Sequence, residues 1–300
     1  MKIKNKYVFL GEVNSINIEL IVKSFNQLKH KINYIIIGDI KDIIQGLNLL
    51  KSKLPIKEIL DPLNFNDLNH DKLNIYNITS EKKKIDKLLH QIEICNLLAN
   101  QTQNDLVTMP INKIIFKNHI NFIGLTEYLA NINNTKTLML MSGENFSGIP
   151  ITTHINLNNV YSNLKNKLNN FFKVFNNLKK LNQFSYFKEF VFLCPNPHCG
   201  ENGHLGMEDI IFRKIIKKNF KKNFKITPAD SAFFKPKKNS LFISLYHDQI
   251  LIPFKILNHS SFNLTVGLKY RRISPSHGIA KDIIGKGIAN NTSYLKCMQI

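Results

Sequence analysis

Cys194-Pro-Asn-Pro-His-Cys-Gly-Glu-Asn-Gly-His-Leu-Gly-Met-Glu208 is the stretch from which the fold is read. The apolar run before it, Phe190-Val-Phe-Leu193, predicts a buried strand. Pro195 and Pro197 forbid helix and stiffen the turn that follows. Gly200, Gly203 and Gly206 allow backbone conformations or close approaches that a side chain would prevent. From Met207 to Ile216 the pattern turns helical, with Glu208 and Asp209 in the first turn, where the helix dipole favours negative charge. A strand thus ends in a stiff, glycine-rich loop carrying His198 and His204. Open α/β sheets bind ligands at such strand ends. A structural loop with two solvated histidines would read the same way at this level.

Outward from this loop the chain alternates strand and helix. Tyr7–Gly11 and Asn33–Gly38 read as strands, with helices predicted over Ile16–Leu28 and Asp42–Leu50. This β-α-β-α order argues for a parallel sheet covered by helices. Residues 51–84 are polar and predict loops with peripheral strands, and Ile85, Leu88, Leu89, Ile92, Cys95 and Leu98 share one helix face. Further strands are predicted at Asp105–Thr108, Thr137–Met141, Ile151–Ile155, Leu241–Leu245 and Phe262–Val266. Gly124-Leu-Thr-Glu127 opens a helix, a long amphipathic helix follows Val160, and another closes the chain. The loop after the first strand has one glycine, Gly11, so the Gly-x-Gly-x-x-Gly dinucleotide fingerprint is absent.

The chain has 300 residues, 43% of them hydrophobic, which is ordinary globular material. No apolar run is long enough to span a membrane, and no signal-peptide pattern opens the chain. A net charge of +20 raises nucleic-acid binding as an option. The lysines, however, are scattered through a chain rich in Asn, Ile and Lys. Their densest clusters, Lys82-Lys83-Lys84 and Arg213–Lys225, fall on expected solvated helix faces, so neither nucleic acid nor membrane is an expected partner. Four cysteines form no disulfide framework, which predicts a reduced, cytoplasmic protein.

His154, His198 and His247 each follow a predicted strand, so one sheet edge could gather all three. Neutral imidazoles bind zinc and similar cations, and three of them leave coordination positions open for chemistry. Their spacing alone is not diagnostic. Cys194-x-x-x-His198-Cys199 offers a rival zinc site, but no second cysteine pair completes a tetrahedron.

Taken together, Asn196-Pro-His-Cys-Gly-Glu-Asn-Gly-His-Leu-Gly206, Tyr246-His-Asp-Gln249, Ile151-Thr-Thr-His154, Pro228-Ala-Asp230 and Asn263-Leu-Thr-Val-Gly-Leu268 resemble the 4-hydroxythreonine-4-phosphate dehydrogenase family in order and interval. The resemblance runs from about Gly11 to the end of the chain. It implies two α/β/α lobes around a cleft, as in isocitrate and isopropylmalate dehydrogenases. The first lobe is expected over 1–115 and 265–300, and the second over 116–264. It also implies a cytoplasmic homodimer with an active site shared between subunits, and NAD- (or NADP-) and divalent-metal-dependent oxidation of 4-phosphooxy-L-threonine in vitamin B6 synthesis. The 3-oxo product then loses carbon dioxide.

Carried over by motif, His154, His198 and His247 resemble the ligands of Zn2+, Co2+ or Mg2+. Thr126, Lys255, Asn263 and Arg272 resemble substrate contacts. Asp230, Asp248 and Lys255 are candidates for catalysis or proton transfer. No residue is assigned to the nicotinamide cofactor. The chain departs from the family pattern at Leu125, where a histidine is usual, in its first loop, and at Ser276, where an aspartate is usual. Two alternatives therefore stand beside the leading reading: a dehydrogenase of a related phospho-acid such as 4-phosphothreonate, and a non-catalytic binding protein of the same fold.

Overall fold

The structure, a computed structural model, describes residues 5–79, 84–116, 124–181, 184–221 and 223–300. Lys82 and Lys83 of the first basic cluster lie outside them. The chain divides into two compact units. The first comprises residues 1–133, 262–264 and 268–300, and the second comprises 134–261 and 265–267.

The first unit opens with β1 (Asn5–Phe9), α1 (Asn17–Leu28), β2 (Asn33–Gly38), α2 (Ile40–Leu49), β3 (Ile56–Glu58), β4 (Leu73–Asn77), α3 (Lys84–Thr102), β5 (Asp105–Thr108) and α4 (Leu125–Ile132). The second contains β6 (Leu138–Ser142), β7 (Ser147–Pro150), α5 (Leu164–Lys180), β8 (Glu189–Leu193), α6 (Glu208–Asn219), β9 (Phe224–Thr227), β10 (Ser240–Ser244) and α7 (His247–Leu257). β11 (Phe262–Val266) is divided between the units, and β12 (Arg272–Pro275) and α8 (Thr292–Gln299) complete the first.

Strands of the first unit run in the order β3-β4-β2-β1-β5-β12, and the registered pairs are parallel. Side chains alternate between the faces of a strand. Val8, Ile36, Ile75, Val107 and Ile273 accordingly meet Leu20 and Phe25 of α1 and Tyr294 and Met298 of α8. Their neighbours Tyr7, Phe9, Ile35, Ile37 and Leu106 meet Leu88, Ile92, Cys95 and Leu98 of α3 and Leu129 of α4 on the other face. Burial on both faces is why β1 and β2 read as continuous apolar runs.

The second unit orders its strands β6-β7-β10-β8-β9. All registered pairs are parallel except β6 with β7. The expected α/β class is what the chain adopts. Ile151–Ile155 is not a strand, however. The strand is Ser147–Pro150, and it ends at the proline, which has no N–H to donate to the ladder.

Candidate active site

Because β7, β10 and β8 are adjacent and parallel, their carboxyl ends lie on one edge of the second unit's sheet. His154, His247 and His198 follow those three ends. Past β7, Ile151 N–H donates to Ser244 O (2.8 Å), and both Thr152 N–H (3.1 Å) and its hydroxyl (2.7 Å) donate to Leu245 O. The segment is thereby tied to the end of β10. The His154 and His247 ring centres stand 5.7 Å apart.

His247 is the first residue of α7 rather than the tail of a strand. Its Nδ1 lies 2.6 Å from Asp248 Oδ1. A carboxylate on Nδ1 favours the tautomer with the proton there, which leaves the Nε2 lone pair for a cation. Gln249 links the strand ends: its Oε1 accepts from Leu245 N–H (3.3 Å) and its Nε2 donates to Cys194 O (2.8 Å).

The His198 loop has an unusual backbone. His198, Cys199, Gly200, Glu201 and Asn202 all have φ between 45° and 74°, in the left-handed region. For residues other than glycine this costs roughly 1–2 kcal/mol each. Such strain persists only where the surroundings over-determine it. One constraint is the bond between Cys194 and Cys199, whose Cα atoms are 5.0 Å apart. This corrects the expectation of unpaired cysteines. A turn stiffened by two prolines brings residues five apart into the Cα range of a disulfide. The bond also removes both sulfurs from the rival cysteine–histidine zinc site. Cys95 and Cys297 are free and buried.

His198, His154 and His204 are exposed, as are Asp248, Asp230 and Lys255, and His247 is half-buried. Among the described residues of a single chain, no three His, Cys, Asp or Glu side chains form a group that could hold a metal ion. The donor chemistry nevertheless fits a divalent cation: two imidazoles are close together, and one is oriented by a carboxylate.

In the first unit, Arg272 and Thr126 come together. Arg272 Nε donates to Thr108 Oγ1 (2.8 Å) and its Nη1 to Thr126 Oγ1 (2.9 Å). Burial lowers the guanidinium pKa to about 10, with Glu127 acting in the opposite direction, so the group stays cationic at neutral pH. Asn263 is half-buried on β11. Leu125 is buried within the apolar cluster of Phe9, Leu98, Leu106, Leu129 and Tyr270. Its side chain is core material.

Two features escaped the sequence reading. Asn196 and Asp209 form a clasp around the His198 loop, for which the short Asn-Pro-His to Glu-Asp spacing was the available signal. His277 has its Nδ1 2.9 Å from Gly278 O, while its Nε2 is buried with no partner among the described residues. Burial lowers the pKa of this histidine. An unpaired buried nitrogen is the kind of group a polar ligand satisfies.

The fold is one shared with solved α/β proteins. The crystal structure of 4-hydroxythreonine-4-phosphate dehydrogenase from Klebsiella pneumoniae matches with a TM-score of 0.81, at 24% identity, over 99% of this chain and 98% of that one. The profile of the family described as "Pyridoxal phosphate biosynthetic protein PdxA" matches residues 30–300, and the chain belongs to that family. It is 31% identical over 312 residues to the 4-hydroxythreonine-4-phosphate dehydrogenase of Aquifex aeolicus, covering 98% of this chain and 96% of that one. A protein from Oceanobacillus iheyensis, provisionally named D-threonate 4-phosphate dehydrogenase, is 26% identical over 319 residues, covering 97% of this chain and 95% of that one.

Proposed function

We propose that this protein is an NAD-dependent, divalent-metal-dependent dehydrogenase. Its proposed substrate is 4-phosphooxy-L-threonine, oxidised to 2-amino-3-oxo-4-phosphooxybutanoate. Loss of carbon dioxide then gives 3-amino-2-oxopropyl phosphate for vitamin B6 synthesis. Family membership supports the oxidoreductase class and the pathway. The observation that carries the site is the approach of His154 and His247 at adjacent strand ends, with Asp248 on the far nitrogen of His247.

A secondary alcohol holds its proton too tightly to release hydride readily at neutral pH. When bound, a divalent cation supplies Lewis acidity to that oxygen and NAD supplies the hydride acceptor. His154, His198 and His247 would hold the cation, and imidazole favours Zn2+ or Co2+ over Mg2+. The protein's own groups do the rest. Asp248 holds the His247 tautomer. Lys255, exposed on α7, would offer a point charge to phosphate or carboxylate, and Lys255 and Asp230, both exposed, would exchange the proton with solvent. Arg272, fixed by two threonine hydroxyls, supplies a permanent positive charge beside Thr126. Asn263 offers amide hydrogen bonds. For the cofactor, the unpaired His277 Nε2 fits a polar group of a dinucleotide.

We further propose that two chains form a cytoplasmic homodimer and close the histidine triplet between them. No helix among the described residues is long and apolar enough to cross a membrane. The relative named for D-threonate 4-phosphate favours a second reading, in which the same groups act on that phospho-acid.

The deciding experiment is NADH formation with each phospho-acid, with and without added Zn2+, Co2+ or Mg2+. NADH from one substrate alone identifies it. No turnover with either substrate, in any metal, leaves the non-catalytic binding protein as the better reading. A dilution series tests the shared site, because full activity in a species that sediments as a monomer removes it.

A further inference from the structure

Among the described residues of the second unit, Asp209 is the one charged side chain that is buried, at 1% exposure. It sits in the first turn of α6, where the helix dipole stabilises a carboxylate. Its Oδ2 accepts from Asn196 Nδ2 (2.8 Å), and its Oδ1 faces Asn196 N at 3.5 Å. Glu208 Oε2 accepts from the same amide at 3.2 Å. On the other side, Gly200 packs directly on this carboxylate. A Cβ added there would stand 2.6 Å from Asp209 Oδ2, and the φ of +74° also excludes most side chains.

Asn196 and Gly200 are two residues before and two residues after His198. Both flanks of that histidine therefore rest on one buried carboxylate, beside a left-handed backbone (φ 49°, ψ 28°) that few residues other than glycine adopt. We propose that Asp209 is the positioning residue for His198, setting its imidazole for the metal. The proposal rests on the reading of His198 as a metal ligand.

The test is isothermal titration of Zn2+ and Co2+ into the metal-stripped full-length protein, with hydrogen exchange followed over residues 196–206. Partners that orient metal ligands typically change affinity by about 10–100-fold when removed. Asp209→Ala should lose roughly that much and exchange faster in the loop while its circular dichroism stays unchanged. Asp209→Asn, which keeps an oxygen to accept from Asn196, should restore most of the affinity. Asn196→Ala should weaken binding in the same direction, and it decides the matter if Asp209→Ala does not fold. Wild-type affinity and loop exchange in both Asp209→Ala and Asn196→Ala, with metal lost in His198→Ala, overturns the proposal. If His198→Ala binds metal undiminished, the ligand reading of His198 fails instead. Loop exchange in Asp209→Ala then still decides whether this carboxylate holds the loop.

Discussion

In the first unit β1 buries a lysine completely, whereas the second packs its sheet with phenylalanine. Lys6 is fully enclosed and donates to Asp105 Oδ2 at 3.0 Å, and Arg271 grips the same carboxylate at 2.7 and 2.6 Å. Glu12, Glu19, Asp39 and Arg272 are buried in the same unit. Lys84 pairs with Glu12 at 2.5 Å and Lys87 with Asp39 at 3.1 Å. In the second unit Phe175 stacks on Phe184 at 4.5 Å and meets Phe190 and Phe220 edge-on or tilted. Phe146, Phe242 and Phe254 fill the opposite face. One unit uses ionic ties within its scaffold. The other has an apolar scaffold and concentrates polar chemistry at one strand-end edge. Buried pairs are costly to form and costlier to break, while aromatic packing carries no such charge penalty.

The sharpest test of this division is at the histidines. His247→Ala and His198→Ala should each abolish stoichiometric metal binding and NADH formation while the protein stays folded, as metal analysis and circular dichroism would report. His204→Ala, in the same loop but outside the triplet, should leave metal content nearly unchanged. Equal loss in His204→Ala would mean the wrong imidazole has been assigned.

Next come the scaffolds. Asp105→Ala removes the carboxylate that both Lys6 and Arg271 grip, and about 3–5 kcal/mol of stability should be lost. Phe175→Ala should lose a similar amount, about 3–5 kcal/mol, by leaving a cavity. Denaturant melts at two pH values separate the mechanisms. Burial alone would raise the Asp105 pKa, but Arg271 and Lys6 outweigh it and hold the carboxyl below its usual range. A lowered folded pKa contributes stability that is complete above the unfolded value of about 3.9 and is lost as pH falls toward the folded value. The gap between wild type and Asp105→Ala should therefore narrow on acidification below about pH 4, whereas the gap for Phe175→Ala should not. Parallel pH dependence in the two variants would erase the contrast between the units.

The smallest effect is expected at Leu125. Because its side chain lies in the core, Leu125→His should place a polar ring among apolar neighbours and destabilise the first unit by about 1–3 kcal/mol, without raising kcat/KM. A gain in kcat/KM would show that an imidazole at this position still reaches the substrate.

How much of this was legible beforehand depended on local signal. β2, β5 and β8 are buried on both faces and announced themselves as apolar runs. The glycine loop was legible too, since Gly200, Gly203 and Gly206 all take positive φ. β9 and β12 were missed because Phe-Lys-Ile-Thr and Arg-Ile-Ser-Pro are short and carry a cation each. All of α7 was missed, because Tyr246 caps it without a side-chain hydrogen bond and Pro253 lies inside it, so neither a start signal nor an unbroken helical pattern marks it. The Cys194–Cys199 bond depends on the path of a turn, and spacing does not encode that path. The histidines were legible as types at strand ends. The approach of His154 to His247 depended on strand order, which no local pattern carries.

The uneven aromatic content has a spectroscopic consequence. The chain has no tryptophan, so tyrosine dominates its near-ultraviolet emission. Tyr7, Tyr34, Tyr270 and Tyr294 are buried in the first unit, while Tyr161, Tyr186 and Tyr246 of the second are only partly covered or exposed. Loss of tyrosine signal on heating therefore reports mainly the melting of the first unit. A single tryptophan in place of Phe184, stacked on Phe175, would give the second its own optical reporter, and the order in which the two units melt could be read from one sample.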